Sequence, residues 1–401
     1  MGILSNFFSK IKYKIVNSFS GYSAKSAKWN KDTYEQETVR AIIDCIATHT
    51  AKGKALHVVV DENDRIVEIK RQSPYAKLIN KKPNPLMSGF DFKYKLITQL
   101  EHRTMAAAYV KWAKGQDGVV PEAIIPIDYK QMEICEIVGG GYAIQFEDME
   151  GKLWQLPSEK VIILRKFYNG KDISGDGNGP IYNTLDMIQA SDDGFIEALS
   201  VSNKVRGLYK HKKAMLDPKD VQNSQEEFSK RFADAAEKGG VVGIDSMEEY
   251  TPLNITPFTA TSAQMKAVRD NLYTYWRICE NVVKSCYSEQ EGHAFAESII
   301  EPRWLQMGEA FTNVCFSDRE YDDGNRIIFT GGILTGTTYQ TRVNIIRETK
   351  EIGLLTVNEQ RELLGYDPIA GGDIRQVSLN YINADKQDEY QTGKENGNGS
   401  N

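Results

Sequence analysis

Residues 259–316 constrain this chain most. Met265, Val268, Leu272, Trp276, Cys279, Val283 and Cys286 recur at alternating three- and four-residue steps, so they share one stripe of a helix opened by the capping-box pair Thr261 and Gln264. This predicts a helix over 259–287 with one buried face. The run stops in Ser288-Glu289-Gln290-Glu291-Gly292-His293, six residues without a large apolar side chain. A second helical run, from about Ala294 to Phe316, then carries Phe295, Ile299, Ile300, Leu305, Met307, Phe311 and Val314. Two helices therefore flank a polar loop, which positions backbone and charge without a catalytic residue set.

The remaining chain supplies a support for that pair. Val39, Ile42, Ile43 and Ile46 predict a helix over 35–51, Leu56–Val60 and Ile66–Lys70 a hairpin around Asp61-Glu62-Asn63-Asp64, and Tyr75–Ile79 a short helix halted by Lys82-Pro83-Asn84-Pro85. Ser88 caps an apolar helix that continues to about Thr104. From 107 to 164, six short apolar runs separated by glycine-containing turns predict a β meander. The triple glycine 139–141 lacks the Lys-Ser/Thr pair of a phosphate loop and precedes a strand. After the breaker cluster 175–180, Ile181, Leu185, Ile188, Phe195, Leu199 and Val205 predict a long helix ending near Gly207. Asp217-Pro218 launches another to Glu237, and 241–244 with 248–253 reads as a hairpin. A strand at 327–329 and helices over 338–352 and 356–364 follow, and the polar tail after Asp385 reads as disordered.

Charge and cysteine usage narrow the function. With 49 basic and 55 acidic residues the net charge is −6, so any contact with nucleic acid does not rest on an overall basic surface. The basic cluster Lys204, Arg206, Lys210, His211, Lys212 and Lys213 at the end of the first long helix suits the negative end of a helix dipole as well as a docking role. The five scattered cysteines read as reduced core or near-core residues in a reducing compartment; Cys279 and Cys286 would lie roughly 10 Å apart along one helix, too far for a bridge. The five histidines show no ligand spacing, so no metal site, cofactor or catalytic set is expected. Residues 3–16 are amphipathic but too short for a membrane span, and an arm that docks on a neighbouring subunit or stays flexible is the plainer reading.

The order of these features resembles the portal proteins of tailed bacteriophages, the siphophage and prophage type. Four segments carry the resemblance, over about residues 35–380: the helix and strand of 41–60; Lys82-Pro83-Asn84-Pro85-Leu86-Met87-Ser88 leading into an apolar helix; Gly179-Pro180 before the long helix; and Gly353-Leu354-Leu355-Thr356-Val357-Asn358-Glu359 with Arg361, Gly365, Pro368 and Gly371-Gly372-Asp373. Two departures stand out. Ala106-Ala107-Ala108-Tyr109 replaces the family's Gly-Asn-Ala-Tyr, and Asn281-Val282-Val283-Lys284 lacks its Gly-Val-Pro.

The resemblance implies an α+β portal fold: an N-terminal arm (1–34), a mixed α/β wing (35–178 and 297–335), two long antiparallel stem helices (179–207 and 259–287), a small α/β clip (208–258), a tunnel loop (288–296), a short helical crown (336–384) and a disordered tail (385–401). It implies a homo-oligomeric ring, usually of twelve subunits, at one capsid vertex of the virion, assembled in the bacterial host cytoplasm. Through it double-stranded DNA would pass without sequence specificity. Terminase large subunit, head–tail adaptor, major capsid and scaffold proteins would be its partners, with no membrane. Ser288, Glu289, Gln290, Glu291, Gly292 and His293 would face the DNA, and Lys204, Arg206, Lys210, Lys212 and Lys213 would sit at the stem–clip junction. Two other readings are a peripheral membrane scaffold anchored by residues 3–16 and an enzyme built around His293.

Overall fold

The computed structural model describes residues 13–19, 32–115, 118–169, 175–204, 207–211, 218–237, 242–244, 246, 248–252, 261–331 and 339–377. Two compact units divide the chain: Tyr182–Asn271 is inserted into a larger unit formed by the segments on either side.

The larger unit begins with β1 (Ile15–Phe19), α1 (Glu37–Ala51), β2 (Lys54–Val60), β3 (Ile66–Ile69), α2 (Pro74–Asn80) and α3 (Gly89–Arg103). Val39, Ile42, Ile43 and Ile46 of α1 are fully buried, as are Phe92, Leu96, Ile97 and Leu100 of α3, and the two helices pack on each other. Each such side chain contributes about 2 kcal/mol by leaving water. Ser88 starts α3 with a capping box: its Oγ accepts the Asp91 N–H at 3.1 Å and its own N–H donates to Asp91 Oδ2 at 3.3 Å.

All six expected strands of the meander form: β4 (Met105–Gly115), β5 (Gly118–Pro126), β6 (Gln131–Ile137), β7 (Tyr142–Glu147), β8 (Leu153–Pro157) and β9 (Val161–Arg165). They are shared between two sheets, ordered β5-β4-β9 and β1-β6-β7-β8. Met105, Ile127, Tyr129, Met132, Ile144, Phe146, Trp154 and Leu156 form one buried cluster that both sheets contribute to. The expected N-terminal arm is corrected over 15–19, where β1 pairs antiparallel with β6 in the register Ser18↔Cys135 and Phe19↔Ile134. A β-branched and aromatic run beside an open strand edge gains ladder hydrogen bonds that an isolated amphipathic helix cannot match. Residues 1–12 and 20–31 lie outside the described residues.

The inserted unit contains α4 (Tyr182–Lys204), β10 (Gly207–His211), α5 (Pro218–Glu237), β11 (Glu248–Pro252) and the first ten residues of α6 (Ser262–Trp276). The expected 241–253 hairpin is corrected: β11 pairs with β10, Lys210 opposite Glu249, and residues 242–244 are irregular. Aromatic packing explains the choice. Phe228 of α5 is buried, stacks on Tyr209 of β10 at 4.5 Å and touches Tyr250 of β11 at 5.4 Å, a core that local pairing would have split. Tyr209 also donates to Glu248 Oε1 at 2.7 Å, and Arg231 pairs with the same carboxylate at 2.6 Å. On α6 the expected Thr261–Gln264 capping box forms, and Ser191 of α4 donates to the Met265 sulfur.

The chain continues through α7 (Glu280–Val283), α8 (Glu289–Phe295), a π turn (Ala296–Ile300), α9 (Glu301–Cys315), α10 (Asp318–Asp322), β12 (Asn325–Thr330), α11 (Tyr339–Glu351), β13 (Ile352–Thr356), α12 (Val357–Leu363) and β14 (Arg375–Val377). β12 returns to pair with β2, giving the sheet β12-β2-β3. The C-terminal helix pair is present, but the purely helical expectation for this segment is corrected by the β13-β14 ladder. Gly353 at φ +66 lets the chain turn straight from α11 into a strand.

α9 locks the sheet to the helices. Phe311 packs edge-on against Phe92 and Phe329, Trp304 Nε1 donates to Thr50 O at 2.9 Å, and Thr312 Oγ1 accepts the Ile327 N–H at 2.8 Å. Gly308 makes this approach possible, since a Cβ there would stand 2.7 Å from Ile327 O. Gly308→Ala should therefore lose about 1–3 kcal/mol in urea denaturation; an unchanged midpoint would show that helix and strand can separate freely at this point.

Candidate functional site

The stripe that dominates the sequence does not continue as one helix. Leu272 and Trp276 are buried, but the next buried residues are Ile278 and Val282, a change of phase that leaves Cys279 and Cys286 exposed. None of the five cysteines is in a disulfide; only Cys45, Cys135 and Cys315 are buried, which corrects the core reading for the other two.

Two successive Schellman ends produce the break. Arg277 adopts φ +56; its N–H donates to Thr274 O at 3.1 Å and the Ile278 N–H to Tyr273 O at 3.0 Å. Eight residues on, Ser285 adopts φ +57, its N–H donating to Val282 O and the Cys286 N–H to Asn281 O. Neither left-handed position is glycine. Each carries a conformational penalty of about 1 kcal/mol that its two terminal hydrogen bonds offset.

The expected polar loop is displaced as well. Ser288 is an N-cap and Glu289–His293 already belong to α8, because Ser288 Oγ accepts the Glu291 N–H at 3.3 Å and the Ser288 N–H donates to Glu291 Oε2 at 2.7 Å. The Ser288 N–H holds the Glu291 carboxyl below the usual carboxylate range, helped by Asn281 Nδ2 at 2.7 Å and Ser288 Oγ at 2.9 Å, which also donate to it. Glu289 accepts from Thr341 Oγ1 at 2.9 Å, Gly292 is buried, and Gln290 and His293 are exposed. The irregular, exposed segment is thus 284–288, Lys284-Ser285-Cys286-Tyr287-Ser288. Sequence reasoning missed Lys284 and Tyr287, although the Ser-x-x-Glu pattern at 288–291 announces a helix start. Downstream, the π turn precedes Pro302, which has no N–H to offer; the Glu301 N–H bonds back five residues to Ala296 O and the helix runs on.

Of the expected basic cluster, Lys204 is the last residue of α4, and Lys210 is exposed on β10 opposite Glu249. Arg206, Lys212 and Lys213 lie outside the described residues. The histidines stay apart. His57 is buried between Ser73 Oγ at 2.8 Å and Asn325 Oδ1 at 3.0 Å, His102 sits 2.6 Å from Asp32 Oδ1, and burial lowers the pKa of both. Among the described residues no group of three His, Cys, Asp or Glu side chains could hold a metal, and no helix is long and apolar enough to cross a membrane.

The chain leaves and re-enters the larger unit at one buried charge cluster. Glu101 of α3, with its side chain 1% exposed, accepts from Lys166 Nζ at 2.5 Å and from Arg303 Nε of α9 at 2.8 Å. Burial alone would raise the Glu101 pKa, but the two cations outweigh it and hold the carboxyl low. Lys166 also faces the rings of Phe167, Tyr275 and Trp276 at 4.8–5.5 Å. Asn178, just before α4, donates to the final α3 carbonyls of Glu101 and His102 and accepts from Tyr275 Oη, at the end of α6, at 2.8 Å.

With this geometry in view, comparison with known proteins places the chain. The family model described as "Phage portal protein" matches residues 37–365, so the chain belongs to that family. The "Probable portal protein" of Lactococcus phage p2 is 25% identical over 260 residues, 60% of this chain; the chain spans 65% of that relative's length. The neck of an empty gene transfer agent particle, computed with C6 symmetry, superimposes with a TM-score of 0.63 at 13% identity, over 88% of this chain and 97% of the other. The native neck, computed with C12 symmetry, gives 0.60 at 12% identity over 88% and 96%. These likenesses establish the α+β portal fold.

Glu101→Ala should lose about 3–5 kcal/mol, because two cations are left buried without their counter-charge; a loss below about 1 kcal/mol in chemical denaturation would mean the cluster is solvated. Ser285→Gly should gain up to about 1 kcal/mol, relief of the left-handed strain exceeding the added chain entropy. A destabilised glycine variant in thermal melts would show that the serine is held there without strain.

Proposed function

We propose that this chain is the portal subunit of a tailed phage: a ring of about twelve copies at one capsid vertex of the virion, through which double-stranded DNA is packaged and ejected. The observation that carries the reading is the combination of family membership over 37–365 with an inserted unit, Tyr182–Asn271, in which α4 and most of α6 flank β10, α5 and β11. In this reading α4 and α6 form the stem, β10-α5-β11 the clip that meets the terminase large subunit and later the head–tail adaptor, and the larger unit the wing, which faces the capsid and scaffold proteins. Residues 336–384 would be the crown.

Two physical features support a ring. Met187, Phe195 and Ile196 of α4 are 58%, 54% and 64% exposed in the single chain, apolar side chains on more than one side of the helix that neighbouring copies on either flank would cover. Twelve copies at −6 each would carry about −70, so DNA could slide without strong, salt-sensitive phosphate contacts. The exposed segment 284–288 together with Gln290 and His293 would collar the DNA, shifting the tunnel assignment of Ser288–His293 toward its N-terminal side.

Negative-stain images of the full-length chain should show rings with a central channel, and class averages of solid or open particles would overturn the reading. The variant carrying Arg206→Ala, Lys210→Ala and Lys213→Ala should assemble normally yet impair DNA packaging or retention, and wild-type packaging by normal rings would remove the basic cluster from the channel.

A further inference from the structure

The sheet β12-β2-β3 has two edges, and they are treated differently. The outer edge of β12 is occupied by α9: Thr312 Oγ1 accepts the Ile327 N–H at 2.8 Å and lies 3.4 Å from Ile327 O. Where β2 outruns β3, Asn80 closes its edge, donating to Ala55 O at 2.7 Å and accepting the Ala55 N–H at 2.9 Å. The outer edge of β3 ends the sheet. All four of its residues are exposed: Ile66, Val67 and Ile69 remain 51%, 66% and 44% accessible, and Glu68 is the single charge on the strand. Proteins ordinarily cover or charge such an edge, because its unpaired N–H and C=O groups template another strand.

Beyond Ile69 the surface continues into a groove of about 420 Å³ between the end of β3 and α2. Lys70, Arg71, Lys77 and Lys81 line it over Leu56 and Ala76, and no carboxylate does. Lys70 Nζ donates to the neutral Asn325 Oδ1 at 2.8 Å. Among the described residues no acid lies within ion-pair distance of Arg71, Lys77 or Lys81. In a chain of net charge −6 this is a local inversion of sign beside an apolar strand edge.

We propose that the β3 edge and this groove bind an extended acidic segment of a partner protein. The segment adds as a fourth strand along Ile66–Ile69, covers the three apolar side chains, and runs on so that its carboxylates meet Lys70, Arg71, Lys77 and Lys81. Main-chain hydrogen bonds supply the affinity and the cations the selectivity for acidic sequence. DNA fits less well, since phosphates would satisfy the cations but leave the apolar edge and its backbone groups unused. The proposal stands independently of the portal reading.

The test uses the full-length chain and a fluorescent peptide of alternating glutamate and valine, about eight residues long to span the strand and groove. Saturable binding is expected, with slowed amide exchange at Ile69, whose N–H faces outward since its neighbour Lys70 donates to His57 O in β2. Lys77→Glu with Lys81→Glu should weaken it at least about tenfold, or about 1.4 kcal/mol. Both lysines are exposed, and should the double variant fail to fold, the exchange pattern of the native chain decides alone. Absent binding, equal binding of a lysine–valine peptide, unchanged affinity in a folded double variant, unaltered exchange on β3, or preference of this site for a short DNA duplex would each overturn the proposal.

Discussion

The Glu101 carboxylate with its two cations is the contact on which the larger unit depends. An isolated buried carboxylate would take up a proton rather than stay charged, and an isolated buried ammonium would lose one. Held between Lys166 and Arg303, Glu101 stays ionised, and so fixes three elements remote in sequence: α3, the end of β9 and α9. Replacing such a cluster by well-packed apolar groups often costs nothing, whereas removing one partner strands a buried charge, so the three elements must meet with all their partners in place. The consequence is geometric. Asn178 and Tyr275, which bracket the inserted residues 182–271, hydrogen-bond to each other beside it. The insertion thus leaves and returns at a point set by charge pairing as well as by packing.

A second constraint concerns strand edges. The larger unit contains three sheets of three or four strands, too small to be closed into barrels, so each has edges to satisfy. β6 gains β1, and β12 gains the helix α9 through Thr312 and Gly308. Asn80 imitates a strand with a single side-chain amide. β3 ends its sheet uncovered with three of its four residues apolar, and the cations beside it distinguish it from a merely unfinished sheet.

Much of this fold was legible in the sequence. The α1 stripe, the Ser88 cap, all six strands of 105–165 and a strand at 327–329 follow from periodicity and turn chemistry, which are local signals. Misreadings cluster where partners are distant. β11 pairs with β10 across α5, because Phe228 needs aromatic neighbours from both strands. β1 pairs with β6 more than a hundred residues away, and β14 reaches back over α12 to β13. No window of sequence contains both halves of such a pair.

The limits of the polar loop differ from the sequence expectation for another reason. The 3–4 spacing of Leu272, Trp276, Cys279 and Val283 is satisfied by a helix, yet the chain bends because Ile278 and Val282 bury better than Cys279 and Cys286 would. Tertiary burial therefore outweighed two left-handed residues, about 2 kcal/mol of local penalty against two large aliphatic side chains removed from water at about 2 kcal/mol each. Local patterning gives the length a helix could have, whereas the competition between strain and burial decides where it ends. Here that competition places the exposed segment at 284–288, and Ser288–His293 become the N-cap and first residues of α8.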